Sequence, residues 1–196
     1  MIELSADIVS SEDELLVLVD AMDNATGHTT KAECHDGDGL LHRAFSVFLF
    51  NGDGEILLQQ RGADKRLWPM YWSNSCCSHP RKGESIEIAT TRRLLDELNV
   101  SAALEFIYKF SYQAGFGDAG SENELCSVFL GRLDGEPIAN ATEIAAMRFV
   151  TADDLSDELA TTPDAFTPWL KLEWQRLNEE FVATLAKYSA PGQPKY

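Results

Sequence analysis

Apolar positions along the 196-residue chain switch between two periods, and the switches mark where elements begin and end. Leu15 to Met22 (LLVLVDAM) is a short apolar run ended by the turn residues Asp23 and Asn24, the pattern of a buried strand. His42 to Phe50 and Glu55 to Gln60 are further strand-like runs, and Asn51-Gly52-Asp53-Gly54 between them has the chemistry of a hairpin turn. A loop rich in Arg, Pro, Trp and Cys follows. From Ser85 to Leu98 the period changes, with Ile86, Ala89, Leu94 and Leu98 falling among charges at helical spacing and Ser85 placed to cap. Leu104 to Gln113 and Glu124 to Leu133 predict strands around the Gly-rich loop Ala114 to Ser121. Another strand ends at Phe149-Val150, and Thr151 with Asp154 predicts the cap of a short helix. From about Pro168 onward, Leu170, Trp174, Leu177 and Phe181 recur at spacings of 4, 3 and 4, which predicts one amphipathic closing helix. No linker and no internal repeat interrupts this order, so residues 1–196 are expected to form a single mixed α/β domain with its core at about 42–155.

Composition narrows the function classes. Hydrophobic residues at 44% and charged residues at 24% exclude a disordered chain. Asp and Glu number 32 against 16 Lys and Arg, and a net charge of −16 repels polyanions, which argues against nucleic acid and anionic membranes as partners. No stretch reaches the roughly 20 apolar residues of a membrane span. The N-terminal MIELSADIVSSEDELL lacks a basic and an apolar region, so a cytoplasmic protein is expected. The four cysteines, two of them the neighbours Cys76 and Cys77, do not form a disulfide framework.

The charge is unevenly spread. Between Arg61 and Arg93, seven basic residues face three acidic ones, a local +4 that leaves −20 for the remainder. Such a segment suits a small anion held by a few Arg and Lys, or a solvated face of ion pairs. Glu122 and Glu124, at i and i+2 on a strand, point to one face, and paired carboxylates need a cation, a shared proton or solvent between them. With histidines converging on them they suit Zn²⁺, Mn²⁺ or Fe²⁺ rather than Ca²⁺; without that convergence they are two exposed acids. In Asn74-Ser75-Cys76-Cys77-Ser78-His79-Pro80 a thiol lies two residues from a histidine within the basic segment, where neighbouring cations are expected to lower its pKa. The alternative is a pair of small buried hydrophobes.

Glu84, Arg92 and the run Arg93-Leu94-Leu95-Asp96-Glu97-Leu98-Asn99-Val100 resemble the Nudix signature. Ser78 and Asn99 stand at its glycine positions, Arg93 at its first clustered glutamate and Asp96 at another. The loss at Arg93 weakens the multi-metal site used for hydrolysis. Taken in order, HRAFSVFLFN, ILLQQRGADK, WSNSCCSHP, RRLLDEL, ENELC and FTPW resemble type I isopentenyl-diphosphate Δ-isomerases from about Asp20 to the last helix.

That resemblance implies a Nudix fold, a mixed β-sheet flanked by helices. It implies conversion of isopentenyl diphosphate to dimethylallyl diphosphate, by protonating one end of an alkene and deprotonating another carbon. It makes Cys77 the catalytic thiol, with Glu124 the acid opposite it and Tyr112 a supporting tyrosine. His35, His42, His79, Glu122 and Glu124 match the ligands of one divalent metal, Mn²⁺, Zn²⁺ or Mg²⁺. Lys31, Arg61, Lys65 and Arg93 match the diphosphate site, Glu97 a ligand of the Mg²⁺ carried on the diphosphate, and Trp169 the aromatic facing the isoprenoid carbons. His28 matches no role and is expected at the surface. A monomer or weak homodimer acting on an isoprenoid diphosphate is expected. A Nudix hydrolase and a non-catalytic Nudix-like module are the competing classes.

Overall fold

A computed structural model describes residues 9–191, so the two ends of the 1–196 expectation lie outside the described residues. The strand β3 (His42–Phe50) is the spine of the sheet. Its entire length pairs in parallel with β8 (Ser121–Arg132), in a register that sets His42 opposite Glu124, Ala44 opposite Cys126 and Ser46 opposite Val128. β7 (Leu104–Gly115) runs antiparallel to β8 and sets Tyr112 opposite Glu124.

The other edge of β3 is shared by three antiparallel partners. β1 (Leu15–Val19) meets it at His42, β6 (Cys76–Ser78) along Phe45 to Val47, and β4 (Ile56–Arg61) at Phe50. β2 (Ala25–Thr30) extends the sheet beyond β1, and β4 also carries β5 (Trp72–Ser73) and β9 (Ile144–Val150).

Side chains that alternate along β3 feed two cores. Phe45, Val47 and Leu49 pack under α2 (Ile86–Leu98) through Ala89, Leu94 and Leu98. Phe48 and Phe50 pack with Leu155 of α3 (Ala152–Thr161), with Leu170, Trp174 and Leu177 of α4 (Pro168–Glu180), and with Leu185 of α5 (Val182–Ser189). The result is the expected mixed sheet with helices on both faces. Ser85 caps α2 by accepting from the Ile88 N–H, and Thr151 caps α3 in the same way. Asn99, at one glycine position of the signature, ends α2 with φ of 53°, a left-handed conformation that Asn tolerates.

Three expectations are corrected. The first strand stops at Val19 because the Asp20 carboxylate accepts from the Met22 and Asn24 N–H groups and folds a turn. The closing helix is two helices, broken at Phe181, whose ring stacks on Tyr108 at 5.0 Å. β2, β5, β6 and the one-turn α1 (Lys31–Cys34) were not expected. No helix among the described residues is long and apolar enough to cross a membrane.

Candidate active site

Five ligand-type side chains meet at one end of the β3–β8 pair. His42 stands on β3, His79 just after β6, Glu122 and Glu124 on β8, and His35 follows α1. Their donor atoms all lie within 4.8 Å of one another, and all five residues are buried. Gly120 brings His35 into place: its φ is +131°, and a Cβ there would lie 2.0 Å from the His35 carbonyl oxygen, which accepts from the Ser121 N–H. A bulkier residue could not make that approach.

The histidines are oriented from behind. His35 Nδ1 lies 2.7 Å from the Lys31 carbonyl oxygen and His42 Nδ1 2.7 Å from that of Leu40. A carbonyl can only accept, so both rings carry the proton on Nδ1 and turn Nε2 inward. Burial and the neighbouring rings lower His42 to about 4 and push His79 well below its ordinary value, which leaves neutral, ligand-ready imidazoles. His35 is raised instead, because Glu122 outweighs its burial, and Glu122 falls to about 2 despite burial for the reciprocal reason. Glu124 goes the other way. Burial and the adjacent Glu122 hold its proton well above the usual carboxylate range.

Among the described residues, His42 Nε2 and Glu122 Oε2 have no hydrogen-bond partner, although His35 Nε2 is only 2.8 Å from that oxygen. Buried polar atoms are rarely left so. Three imidazole nitrogens and two carboxylates at this spacing are the donor set of a divalent transition ion or Mg²⁺, with ligand bonds of about 2.1 Å, and the unpartnered atoms are those such an ion would satisfy. The residues fit the metal.

A cavity of about 540 Å³ opens beside this cluster, lined by Cys77, His79, Tyr112, Glu122, Glu124 and Trp169 at one end and by Lys31, Arg61, Lys65 and Arg93 elsewhere. Glu124 Oε1 lies 2.8 Å from His79 Nε2, and Oε2 accepts from the Tyr112 hydroxyl at 2.7 Å. Cys77 shares the cavity wall with Glu124. Its neighbour Cys76 points to the opposite face of the sheet, into the core under α2.

Trp169 Nε1 donates toward Cys77 Sγ at 3.1 Å and to Ser73 Oγ at 3.0 Å. Ser73 Oγ and Ser46 Oγ lie 3.6 and 3.7 Å from the same sulfur, and the thiol donates to Asn74 Oδ1. Burial pushes the thiol up to about 12, the Glu173 carboxyl adds to this, and hydrogen bonds from Ser73 and Ser46 with Arg61 only partly offset it. The basic neighbourhood therefore does not lower this pKa as expected.

The cationic end departs from a bare anion site. Arg93 is 2% exposed, and its donors are spent inside: Nε reaches Glu97 Oε1 at 2.8 Å, Nη2 reaches Glu97 and Glu143, and Nη1 reaches the Val9 carbonyl. Lys65 is paired with Glu143. Glu97 lies outside the cavity lining, held by Arg93 and Gln59. Arg61 donates to the Leu67 and Trp68 carbonyls, and its guanidinium carbon lies 5.1 Å from the Trp169 ring centre. Lys31 reaches Ser10 and Glu12 across the pocket mouth. Sequence reasoning missed Glu143, Asn74, Ser73 and Ser46; for Asn74 and Ser73 the signal was their place in the WSNSCCSHP string. His28 is exposed on β2, as expected.

Comparison with known proteins agrees with this geometry. Residues 40–170 match the model of the NUDIX domain. The chain is 43% identical over 163 residues to isopentenyl-diphosphate Delta-isomerase 1 of Photorhabdus laumondii, covering 82% of this chain and 93% of that one. It is 44% identical over 154 residues to isopentenyl-diphosphate Delta-isomerase of Nocardia farcinica, covering 78% and 88%. A crystal structure of the Deinococcus radiodurans protein DR0079 superposes with a TM-score of 0.69 at 23% identity, over 83% of this chain and 98% of that one, which shows the shared fold. The chain belongs to the isopentenyl-diphosphate Delta-isomerase family, built on a NUDIX domain.

Proposed function

We propose that the protein interconverts isopentenyl diphosphate and dimethylallyl diphosphate, with Cys77 and Glu124 as the two proton-handling groups. The observation that carries this reading is that a thiol and a carboxyl whose burial favours its protonated form share one cavity with five Lys and Arg side chains.

An unactivated alkene is a weak base, and its protonation leaves a tertiary carbocation that water would capture, so the reaction needs a closed site. Glu124 gives its proton to the terminal alkene carbon, whose π electrons form the new C–H bond. Tyr112 and His79 hold the carboxyl for this transfer. The Trp169 ring borders the electron-poor centre, a contact worth about 2 kcal/mol when desolvated. Cys77, having released its own thiol proton to solvent before the substrate fills the pocket, then removes as thiolate a proton from the methylene between that centre and the diphosphate-bearing carbon, and the released electron pair closes the new double bond. Trp169, Ser73 and Ser46, gathered around Sγ, stabilise the thiolate that this step requires against its burial. In the reverse direction the roles exchange.

His35, His42, His79, Glu122 and Glu124 would hold one divalent ion, Mn²⁺, Zn²⁺ or Mg²⁺, which when bound supplies a Lewis-acid pull on the Glu124 carboxyl. Lys31, Arg61 and Lys65 grip the diphosphate. Arg93 and Glu97 join it only by exchanging internal partners, Glu97 toward the Mg²⁺ of the substrate.

Incubation with isopentenyl diphosphate and Mg²⁺ tests the proposal. Dimethylallyl diphosphate without released phosphate is expected. Release of phosphate or monophosphate would instead make the protein a hydrolase, and binding without turnover would make it a binding module.

A further inference from the structure

Glu173 of α4 is fully buried, yet nothing in the reaction above uses it. It enters from the helix side onto the β3–β8 face that carries Cys126 and Ser46. Its Oε1 lies 3.7 Å from Cys126 Sγ, and its Oε2 has no hydrogen-bond partner. Cys126 Sγ lies 3.5 Å from Ser46 Oγ, and the Ser46 hydroxyl reaches Cys77 Sγ at 3.7 Å. Side chains from three elements thus link a buried carboxyl to the sulfur in the cavity wall.

The groups facing Glu173 supply no counter-charge. β8 contributes Cys126 and, further along, Glu124; β3 contributes Ser46; β6 contributes Cys77. The Tyr108 hydroxyl of β7 donates to the Glu173 backbone carbonyl. On its own helix Arg176 turns away, lying over Tyr108 and pairing with Glu180. Burial without a cation raises the carboxyl to about 8, against weaker downward pulls from Ser46 and Cys126.

Proton position fixes the direction of the link. A hydroxyl has one hydrogen to give and lone pairs to receive. When Glu173 is a carboxylic acid it donates to Cys126 Sγ, the Cys126 hydrogen goes to Ser46 Oγ, and the single Ser46 hydrogen is left for Cys77 Sγ. When Glu173 is a carboxylate it can only accept, so the Cys126 hydrogen turns toward it, the Ser46 hydrogen turns toward Cys126 Sγ, and the Cys77 sulfur loses a donor.

We propose that Glu173 is a positioning residue for the isomerisation: its protonated carboxyl, acting through the Cys126 thiol, directs the Ser46 hydroxyl onto Cys77 Sγ, and its ionisation reverses that chain of hydrogen bonds and slows turnover. This rests on the function proposed above.

The test is kcat and KM for isopentenyl diphosphate from about pH 6 to about pH 10, on the metal-loaded wild type, Glu173→Gln and Ser46→Ala, each checked for folding by its melting temperature. Wild-type kcat should fall on the alkaline side with a midpoint near 8, where Glu173 ionises. Glu173→Gln keeps a donor at every pH; its kcat should drop only about threefold at neutral pH and lose that alkaline fall, with KM unmoved. Ser46→Ala removes the donor itself and should lower neutral kcat about tenfold, also without the alkaline fall. The same alkaline midpoint in wild type and Glu173→Gln overturns the proposal, as does an unchanged profile in Ser46→Ala. Absence of any turnover by the wild type overturns the isomerase reading and this inference with it, whereas turnover with an unaltered profile overturns this inference alone.

Discussion

Cys76 and Cys77 are consecutive, small and largely shielded from solvent, and strand geometry gives them different surroundings. Successive residues of β6 face opposite sides of the sheet, so Cys76 packs under α2 and Cys77 borders the cavity. Cys77→Ala should lower isomerase kcat by at least about a thousandfold with little change in melting temperature. Cys76→Ala should leave kcat within about twofold and cost about 1 kcal/mol of stability through its small cavity. Turnover assays with thermal melts check both, and the reverse pattern would place the chemistry on the wrong thiol. Spacing made His79, Glu122 and Glu124 legible as candidates, and the family resemblance made His35, His42 and Tyr112 so. The partners that tune them were not legible. Glu143, Ser46 and Glu173 lie far in sequence from the residues they touch, and no local pattern distinguishes them from other polar positions.

At the level of elements, the segments of α2 and β3 read correctly because their periods are unambiguous. α2 carries the predicted cap, and β3 has the predicted bounds. β2, with the sequence ATGHTT, has no apolar alternation and owes its strand to pairing with β1. The break at Phe181 was hidden because apolar spacing continues through it; the ring leaves the helical stripe to stack on Tyr108. The parallel pairing of β3 with β8, which places Tyr112, Glu124 and His42 side by side on three strands, has no signature in either segment. The close passage of Gly120 over the His35 carbonyl belongs to the same long-range category. Gly120→Ala should force that crossing apart. It should lower the metal content of the purified protein at least about tenfold while residual folded protein persists. Elemental analysis and circular dichroism together check this, and full metal occupancy in the variant would show that the crossing does not position His35.

Over the whole molecule, a chain with net charge −16 gathers Lys31, Arg61, Lys65, Arg66 and Arg93 around one pocket. Under the proposed function, this pocket is where the substrate diphosphate enters against the repulsion of the acidic surface. Glu173 also leaves a global mark. Its folded value near 8 lies above the unfolded value of about 4.3, so below pH 4.3 both states hold the proton. Between these values the unfolded chain releases it while the folded protein retains it, and stability falls as pH rises; above 8 the loss is complete. Glu173→Gln should therefore match the wild type in acid and exceed it progressively up to about pH 8, by at most about 5 kcal/mol. Denaturant melts at several pH values measure the difference, and a gap independent of pH would mean that the carboxyl is not held protonated.

The central claim is that a protein-held proton is delivered to one carbon of the substrate while another is taken from a second carbon. Turnover of isopentenyl diphosphate in D₂O, followed by NMR of the carbon skeleton, tests it most directly, because a carboxyl or thiol proton exchanges with solvent whereas a hydrogen shifted within the substrate does not. The account predicts dimethylallyl diphosphate bearing deuterium in a methyl group, with the diphosphate intact. A product without deuterium, or a skeleton separated from its phosphates, would contradict it.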